Sequence, residues 1–285
     1  MIADFFKNLF RTIRRHPVGL VWQWFVAFSV GWTVTEAASH FADGKAPFLK
    51  GIVWLGAISV ASLIWAFVSK WQLAKVEIPI KQSNVSVEVF FGDIFKCDGI
   101  TAIPVSEFFD SEIGLPVSPN SLHGIFIKEC FGGHPQAFDD QVVVQLAAIR
   151  PTQIKKDQGK TARYSIGTTA VIESRGRHYL AFALSHADPK TCKASANVPQ
   201  MFEALAGLWC KARTHMNGNA LNLPLVGSGP SGVGLPAADL VHILMLSFAD
   251  ESRRQIVTQK LRIVLTWDRL HQVDLRQLKK SWEEK

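Results

Sequence analysis

Two long apolar stretches near the N-terminus stand out in the hydropathy pattern, and shorter alternating blocks follow them. The stretches cover Val18–Ser39 and Gly51–Ser69, and the second contains nineteen residues without a charged side chain. At about 1.5 Å of rise per residue such a helix is ~28 Å long, close to the hydrocarbon thickness of a bilayer. The first stretch carries Gln23 and Glu36 only near its ends. The pattern therefore predicts two transmembrane helices within residues 18–69.

Charged residues flank these stretches unevenly. A basic segment, residues 1–17, precedes the first, and lysines follow the second, whereas the Phe41–Pro47 turn between them carries only Asp43 and Lys45. Cytoplasmic flanks of membrane helices carry an excess of Lys and Arg. We therefore expect a multi-pass protein with both termini in the cytoplasm and only the turn outside.

Two other interpretations of this region explain less of the pattern. A secretory signal peptide has a shorter apolar core and a small-residue cleavage site, and a second span does not follow it at once. A buried helical hairpin of a soluble protein would be equally apolar, but it would leave the basic flanks and the marginal tryptophans unexplained. Gly56, Ser59 and Ser62 fall on one face of the second stretch. Such a face suits either the contact within the hairpin or the seam of an oligomer.

The remaining chain is organised as a short polar connector, residues 70–84, and a globular domain, residues 85–285, long enough to bury one core. Val85, Val87 and Val89 alternate with polar residues, as in a half-buried strand. Similar patterns predict strands at 84–91, 100–105, 168–173, 178–184, 220–226 and 261–266, and helices at 121–131, 135–149, 198–216 and 236–249. This order predicts a three-layer α/β/α domain with a mixed sheet behind the N-terminal transmembrane α-helical hairpin.

Charge and cysteine content narrow the classes of partner. The net charge of +7 suits anionic lipid headgroups or an anionic ligand. No basic stripe interleaved with aromatic residues is present, so we expect no nucleic-acid partner. The four cysteines are scattered without paired spacing, which is typical of reduced thiols in a cytosolic domain. The histidines show no metal or triad spacing either, and we expect no metal site.

A glycine-rich loop is the strongest candidate for ligand chemistry. It reads Gly227-Ser228-Gly229-Pro230-Ser231-Gly232-Val233-Gly234, between an apolar strand and a helix that begins near Pro236. Backbone amides in such a turn can surround phosphate oxygens. The spacing satisfies G-x-G-x-x-G, but a Rossmann unit opens its domain and closes its next strand with an acidic residue, which this loop does not do. A purely structural tight turn is the other interpretation.

Together with a strand that ends in Gly92-Asp93-Ile94, this late loop resembles the macro domain, a family that binds ADP-ribose and its relatives. The resemblance covers about Val85–Leu275, which makes the expected domain macro-like. With two membrane helices in front, the chain is similar to the membrane-anchored macro-domain effectors of bacterial Thoeris anti-phage systems. That resemblance implies an ADP-ribose-derived signal nucleotide made from NAD by a TIR-domain partner enzyme. It also implies a homo-oligomer that damages the lipid bilayer of the bacterial inner membrane, without a cofactor.

The resemblance also assigns residues. Asp93 matches the aspartate that accepts a hydrogen bond from the adenine amino group, a role that suits an acceptor-only carboxylate, and Ile94 matches the residue supporting the ring. The residues that match the diphosphate-binding loop are Gly227, Ser228, Gly229, Ser231, Gly232 and Val233. The alternative for Asp93 is a turn or cap residue.

The second ligand-facing loop departs from the family pattern. It reads Pro104-Val105-Ser106-Glu107-Phe108-Phe109-Asp110-Ser111, with no asparagine before Asn120. The asparagine and acid–base groups of hydrolytic macro domains are therefore not visible, which favours binding without turnover. Val105 and Ser106 would face the ligand, and Glu107 and Asp110 would meet a cationic or amino-bearing group. The alternative for the two acids is a plain surface location.

The start of the following helix offers a further anion-friendly place. Ser118, Ser121 and Gly124 supply hydroxyls and amides there, although the serines can also serve only as helix caps. The leading hypothesis is a ligand-sensing membrane effector. A membrane-tethered hydrolase of ADP-ribose conjugates and a membrane-anchored scaffold with an empty glycine loop are the alternatives.

Overall fold

The computed structural model describes Ile13 and residues 17–41, 51–70, 73–229 and 232–283. Most of the basic N-terminal segment and nearly all of the Phe41–Pro47 turn lie outside these residues. The chain divides into two compact units, residues 1–73 and 74–285.

The first unit is an α-helical hairpin, which confirms the predicted pair of apolar helices. Helix α1 spans Pro17–Phe41 and helix α2 spans Ile52–Lys70. The Nε1 atom of Trp24 donates a hydrogen bond to the carbonyl of Ser59 at 3.2 Å. Both helices are long and apolar enough to cross a membrane.

The contact between α1 and α2 follows one face of α2. Ile58, Ser62 and Ala66, spaced four residues apart, are its buried positions. A Cβ atom on Gly31 of α1 would lie 3.2 Å from Cγ2 of Ile58, whereas a Cβ atom on Gly56 would meet nothing within 4 Å in the part of the chain that the structure describes. Ser62 therefore belongs to the contact within the hairpin, and Gly56 lies outside it.

The second unit is built on a mixed sheet, as predicted. Its main strands are β1 (Lys75–Pro79), β2 (Ser86–Phe91), β3 (Ile100–Ser106), β6 (Thr169–Ser174), β7 (Arg177–Ala187), β9 (Leu221–Pro224) and β10 (Lys260–Leu265), with short β4 (Thr152–Gln153), β5 (Ala162–Arg163) and β8 (Ala194–Ser195). The order in the sheet is β1-β2-β10-β9-β3-β7-β6, with β8 paired to β7. The five central strands are parallel, and β1 and β6 are antiparallel to their neighbours.

Helices cover both faces of this sheet, which confirms the α/β/α expectation. They are α3 (Leu122–Phe131), α4 (Gln136–Gln145), α5 (Val198–His215), α6 (Ala237–Arg254) and α7 (Leu275–Glu283). On one face Phe126 and Phe138 of α3 and α4 pack into a core cluster with Ile103 and Ile172. Helices α5 and α6 are tied together by the buried Trp209, whose Nε1 donates to the hydroxyl of Ser247 at 2.9 Å.

Strand β1 lies inside the segment 70–84 that the sequence suggests as a connector. Val76, Ile78 and Ile80 are each at most 4% exposed, and the compact unit begins at Ala74. The apolar face of β1 is buried by tertiary contacts, including those with α7. The structured domain therefore starts about ten residues before Val85.

The register brings the carboxyl ends of the parallel strands to one edge of the sheet, here called the carboxyl edge. Phe91 of β2 is opposite Leu265 of β10, and Val264 is opposite Pro224 of β9. Ligands of open α/β sheets bind outside the carboxyl ends of their strands.

Candidate functional site

A cleft with two adjoining lobes opens at the carboxyl edge. The first lobe, of about 490 Å³, is lined by the ends of β2, β10, β9, β3 and β7 and by the start of α3. The second lobe, of about 370 Å³, shares Pro104, Val105, Ser121, His123 and Ser185 with the first. The structure thus brings the glycine-rich loop and the loop of residues 104–111 to one continuous cleft.

Asp93 lies in the first lobe and also caps a short 3₁₀ turn, Ile94–Lys96. Its Oδ1 accepts a hydrogen bond from the amide of Phe95 at 3.1 Å, and its Oδ2 lies 3.3 Å from Nζ of Lys96. The side chain is nevertheless 46% exposed. The cap role is therefore real, and it fixes the carboxylate at the wall of the lobe, where it can still accept a hydrogen bond. Ile94 is buried beneath the same wall.

Trp267 is a wall of the first lobe that the sequence reasoning missed. It follows β10, stacks on Phe91 with ring centroids 5.7 Å apart and an interplanar angle of 25°, and remains 41% exposed. A flat exposed ring on a fixed support suits stacking with a heteroaromatic base. The signal was available, because Trp267 directly follows the final predicted strand.

The glycine loop has the conformation that its composition suggests. Gly227 has φ +82°, and a Cβ atom there would lie 2.8 Å from Cγ2 of Val233. A Cβ atom on Gly232 would lie 2.9 Å from the carbonyl oxygen of Gly229, whereas one on Gly229 would meet none of the described residues within 4 Å. Gly227 and Gly229 therefore differ, since the first is required by the turn itself and the second leaves open space beside the cleft.

The remaining residues of this loop take separate positions. Ser228 lines the first lobe, although its hydroxyl donates to the carbonyl of Leu225 at 2.7 Å. The amide of Val233 donates a hydrogen bond to the carbonyl of Gly227 at 2.9 Å, which closes the loop. Gly232 and Val233 do not line the first lobe. Ser231 lies outside the described residues.

The start of α3 forms the floor between the lobes. Ser121 is the N-cap of the helix, and its Oγ accepts the amide of Gly124 at 3.0 Å while donating to the carbonyl of Ser118 at 2.7 Å. Ser121 lines both lobes and Ser118 lines the second. A Cβ atom on Gly124 would lie 2.2 Å from the Ser118 carbonyl, so Gly124 serves this close packing. The positive end of the α3 dipole faces the cleft here.

Glu107 and Asp110 are only 4% and 2% exposed, so a plain surface location for them is wrong. Oε2 of Glu107 lies 2.7 Å from Nδ1 of His186. Oδ2 of Asp110 pairs with Nζ of Lys156 at 2.5 Å, and its Oδ1 accepts the amide of Lys160 at 2.7 Å. Both carboxylates thus already have internal partners, and a cationic ligand group would have to compete with them.

The two partners of Asp110 come from the turn between β4 and β5, which the sequence reasoning did not connect to the site. The side chain of Lys156 is completely buried and lies over the ring of Phe108, 4.2 Å from its centroid. Gly159 has φ +82°, and a Cβ atom there would lie 2.3 Å from Oδ1 of Asp110. The turn therefore packs tightly under the second lobe, which Asp110 and Ser106 line.

His123 is the second residue that the sequence reasoning left aside. It lines both lobes, is 6% exposed, and its buried Nε2 has no hydrogen-bond partner within the described chain. Burial, and to a smaller extent the charge of Lys160, lower the pKa of His123 to about 3. The imidazole at the junction of the lobes is therefore neutral at physiological pH.

Among the residues that the structure describes, no group of three or more His, Cys, Asp or Glu side chains could hold a metal ion. The cleft instead offers backbone amides, hydroxyls, an aromatic face and the carboxylates of Asp93, Glu129 and Asp110. Those groups suit a nucleotide better than a metal.

Comparison with solved structures gives the fold. The chain is similar to a mutant of the Oceanobacillus iheyensis macrodomain, with 13% sequence identity and a TM-score of 0.51 over 75% of this chain and 100% of that one. It is also similar to the same macrodomain with MES bound, with 10% identity and a TM-score of 0.50 over 74% of this chain and 100% of that one. No curated protein sequence matches the chain.

The family model described as "Thoeris protein ThsA, Macro domain" matches residues 87–266. This span includes the strand that leads to Asp93, the whole of the second lobe and the glycine loop, and it ends at the residue before Trp267. The match covers more than half of the chain. The chain belongs to the Thoeris ThsA macro-domain family.

Proposed function

We propose that the cleft binds an ADP-ribose-type nucleotide and that the chain is a membrane-anchored effector of anti-phage defence gated by that ligand. The observation that carries the proposal is the meeting of Asp93, Trp267 and Gly229 in one lobe at the carboxyl edge. These three residues follow three different strands, β2, β10 and β9, and together they match the parts of an adenine nucleotide.

The chemistry of each part supports this pose. An adenine ring stacked on Trp267 can donate its amino group to the exposed carboxylate of Asp93, since an ionised carboxylate only accepts. The diphosphate then lies against the amides of the glycine loop and the first turn of α3, where the helix dipole favours an anion. The second lobe leaves room for the distal ribose and a substituent.

Binding without turnover is part of the proposal. A hydrolase needs a carboxylate or imidazole free to activate water. In the second lobe Asp110 is held by Lys156 and by the amide of Lys160, and His123 has its pKa lowered to about 3. Prolonged incubation of the chain with ADP-ribose and with ADP-ribosylated peptides, followed by chromatography, should therefore show no new product. Steady product formation would support the membrane-tethered hydrolase instead.

Family membership and the α1–α2 hairpin support the rest of the proposal. In it, a TIR-domain partner makes the signal nucleotide, and the occupied chains assemble as a homo-oligomer in the bacterial inner membrane. Two helices are too few to line a conducting pathway, so damage to the bilayer requires several copies. A ligand drives such assembly only if it binds the assembled state more tightly than the monomer.

The experiment that tests this proposal follows assembly and leakage in parallel. The TIR-enzyme product should raise the oligomer fraction of the detergent-solubilised full chain and cause dye leakage from vesicles that contain it. A chain lacking residues 1–72 is the control and should cause no leakage. An unchanged mass distribution on ligand binding, or leakage caused by the shortened chain, would contradict the effector mechanism.

A further inference from the structure

The macro domain begins at the carboxyl edge, beside the ligand cleft. Because β1 is antiparallel to β2, Lys75 at the start of β1 is opposite Phe90 near the end of β2. The carbonyl of Ala74 accepts a hydrogen bond from the amide of Phe91 at 3.1 Å. Only residues 71–73 separate Ala74 from Lys70, where α2 ends. The segment that leads from the hairpin into the macro domain is therefore hydrogen-bonded to Phe91, two residues before Asp93.

Phe91 contacts the cleft wall as well as this segment. Its ring stacks on Trp267, and it is only 5% exposed, so its position depends on that ring. The next amide, that of Gly92, donates to the carbonyl of Leu265 at 2.8 Å. A Cβ atom on Gly92 would lie 3.0 Å from the ring of Phe90, which leaves little space for adjustment. Close-packed groups of this kind transmit displacement rather than absorb it.

We propose that Phe91 is the positioning residue that couples occupancy of the cleft to the segment entering the macro domain. Its ring responds to Trp267, and its backbone amide holds Ala74. This inference rests on the proposed function and adds where the signal leaves the binding site. A base stacked on Trp267 restricts that ring, and Phe91 passes the restriction to the start of β1 and so to the chain that continues into α2.

An insertion tests the coupling without touching the cleft. Three residues, Gly-Ser-Gly, are inserted after Leu73 in the full chain, and the same insertion after Gly176, in the turn between β6 and β7, is the matched control. ADP-ribose affinity is measured by calorimetry, and ligand-dependent oligomer fraction is measured in the same detergent. A flexible insertion should leave affinity unchanged but remove the ligand dependence of assembly, an effect of about 5- to 150-fold for typical allosteric coupling. The control insertion should preserve both.

Substitutions at Phe91 provide the second measurement. Phe91→Leu removes the stacked ring, while Phe91→Tyr keeps it. The readout is the ligand concentration for half-maximal assembly divided by the dissociation constant, a ratio that a merely structural role would not change. The ratio should rise in Phe91→Leu and stay near the parent value in Phe91→Tyr, with thermal melting used to confirm that both are folded.

Two results would overturn the coupling. One is normal ligand-dependent assembly by the chain with the insertion after Leu73. The other is loss of binding and assembly together in that chain while the control insertion retains both, since the segment would then belong to the binding site itself. Failure of the parent chain to bind ADP-ribose would contradict the proposed function, and with it the coupling, and the parent titration shows this directly.

Discussion

At the scale of single residues, burial has changed the chemistry of the groups in the cleft. His123 is the clearest case, because its imidazole is neutral and one ring nitrogen has no partner within the described chain. Asp110 is the opposite case, because its buried carboxylate is hydrogen-bonded by the ammonium group of Lys156 and by the backbone amide of Lys160. A buried histidine that lacks such partners stays neutral.

The lowered pKa of His123 makes stability depend on pH in a definite direction. Between the ordinary value of 6.5 and the folded value of about 3, the unfolded chain binds a proton that the folded chain does not. The contribution of His123 to the free energy of unfolding is therefore fully present above pH 6.5. It decreases progressively as the pH falls towards 3. At pH 5 the loss is about 2 kcal/mol, from about 1.5 pH units at 1.36 kcal/mol each.

The variant His123→Phe removes this proton while keeping a ring in place. The melting temperature of the parent should fall between pH 8 and pH 5 by more than that of His123→Phe, measured on the full chain in detergent. At pH 8 the melting temperatures of the parent and of His123→Phe should differ only because the two rings pack differently. Parallel melting curves over the whole range would show that His123 titrates normally.

At the scale of elements, local signals predicted most of the fold. Helices α3 to α6, and all the main strands except β1, lie within about five residues of the expected positions, because alternation and helical spacing are short-range patterns. Helix α7 was not predicted. The sequence pattern predicts a connector where strand β1 lies, since the five residues of β1 depend on pairing with β2 and on burial by tertiary contacts. The turn carrying Lys156 and Lys160 was missed for a similar reason, as its contacts with Asp110 span 46 and 50 residues.

In the candidate site too, contiguous motifs are predictable from the sequence, whereas contacts between residues distant in sequence are not. Gly92-Asp93-Ile94 and the glycine loop are contiguous motifs, so both are recognisable in the amino-acid sequence alone. The internal partners of Glu107 and Asp110 are not, because a carboxylate on a loop gives no sign of which cation will reach it. The predicted ligand contacts themselves remain predictions that binding experiments must test.

The glycine loop yields a test that separates folding from binding. A Cβ atom on Gly229 would meet none of the described residues within 4 Å, so Gly229→Val should fold normally and occupy space that the diphosphate needs. We expect ADP-ribose binding to be lost in Gly229→Val, measured by calorimetry, with a smaller loss in Gly229→Ala. Val233 crowds Gly227, so Gly227→Val should instead lower thermal stability. Undiminished binding by a folded Gly229→Val would place the phosphates elsewhere.

The hairpin offers a matched pair of glycines. Gly31→Leu should loosen the packing of α1 on α2, because even a Cβ atom there lies 3.2 Å from Ile58. Gly56→Leu should leave the melting temperature unchanged, since the position is open. If Gly56 forms the seam of an oligomer, Gly56→Leu should lower only the ligand-induced oligomer fraction. Equal destabilisation by both substitutions would contradict this arrangement of the hairpin.

At the scale of the whole molecule, a macro domain is joined by three residues to a pair of apolar helices. The predicted topology places both termini in the cytoplasm, so the cleft would sample the pool of intracellular nucleotides. A cysteine introduced at Asp43, in a chain whose four native cysteines are replaced by serine, should react with a membrane-impermeant maleimide in intact cells. A cysteine introduced at Lys81 should not react. The reverse pattern of labelling would invert the topology.

The central claim is that the cleft at the carboxyl edge binds an ADP-ribose-type nucleotide. Calorimetric titration of the full chain in detergent with ADP-ribose tests it most directly, with Asp93→Ala as the matched variant. We predict saturable binding by the parent and a loss of about 1–3 kcal/mol in Asp93→Ala, because the adenine amino group then lacks its charged acceptor. Lack of binding by the parent, or equal affinity in a folded Asp93→Ala, would contradict this claim.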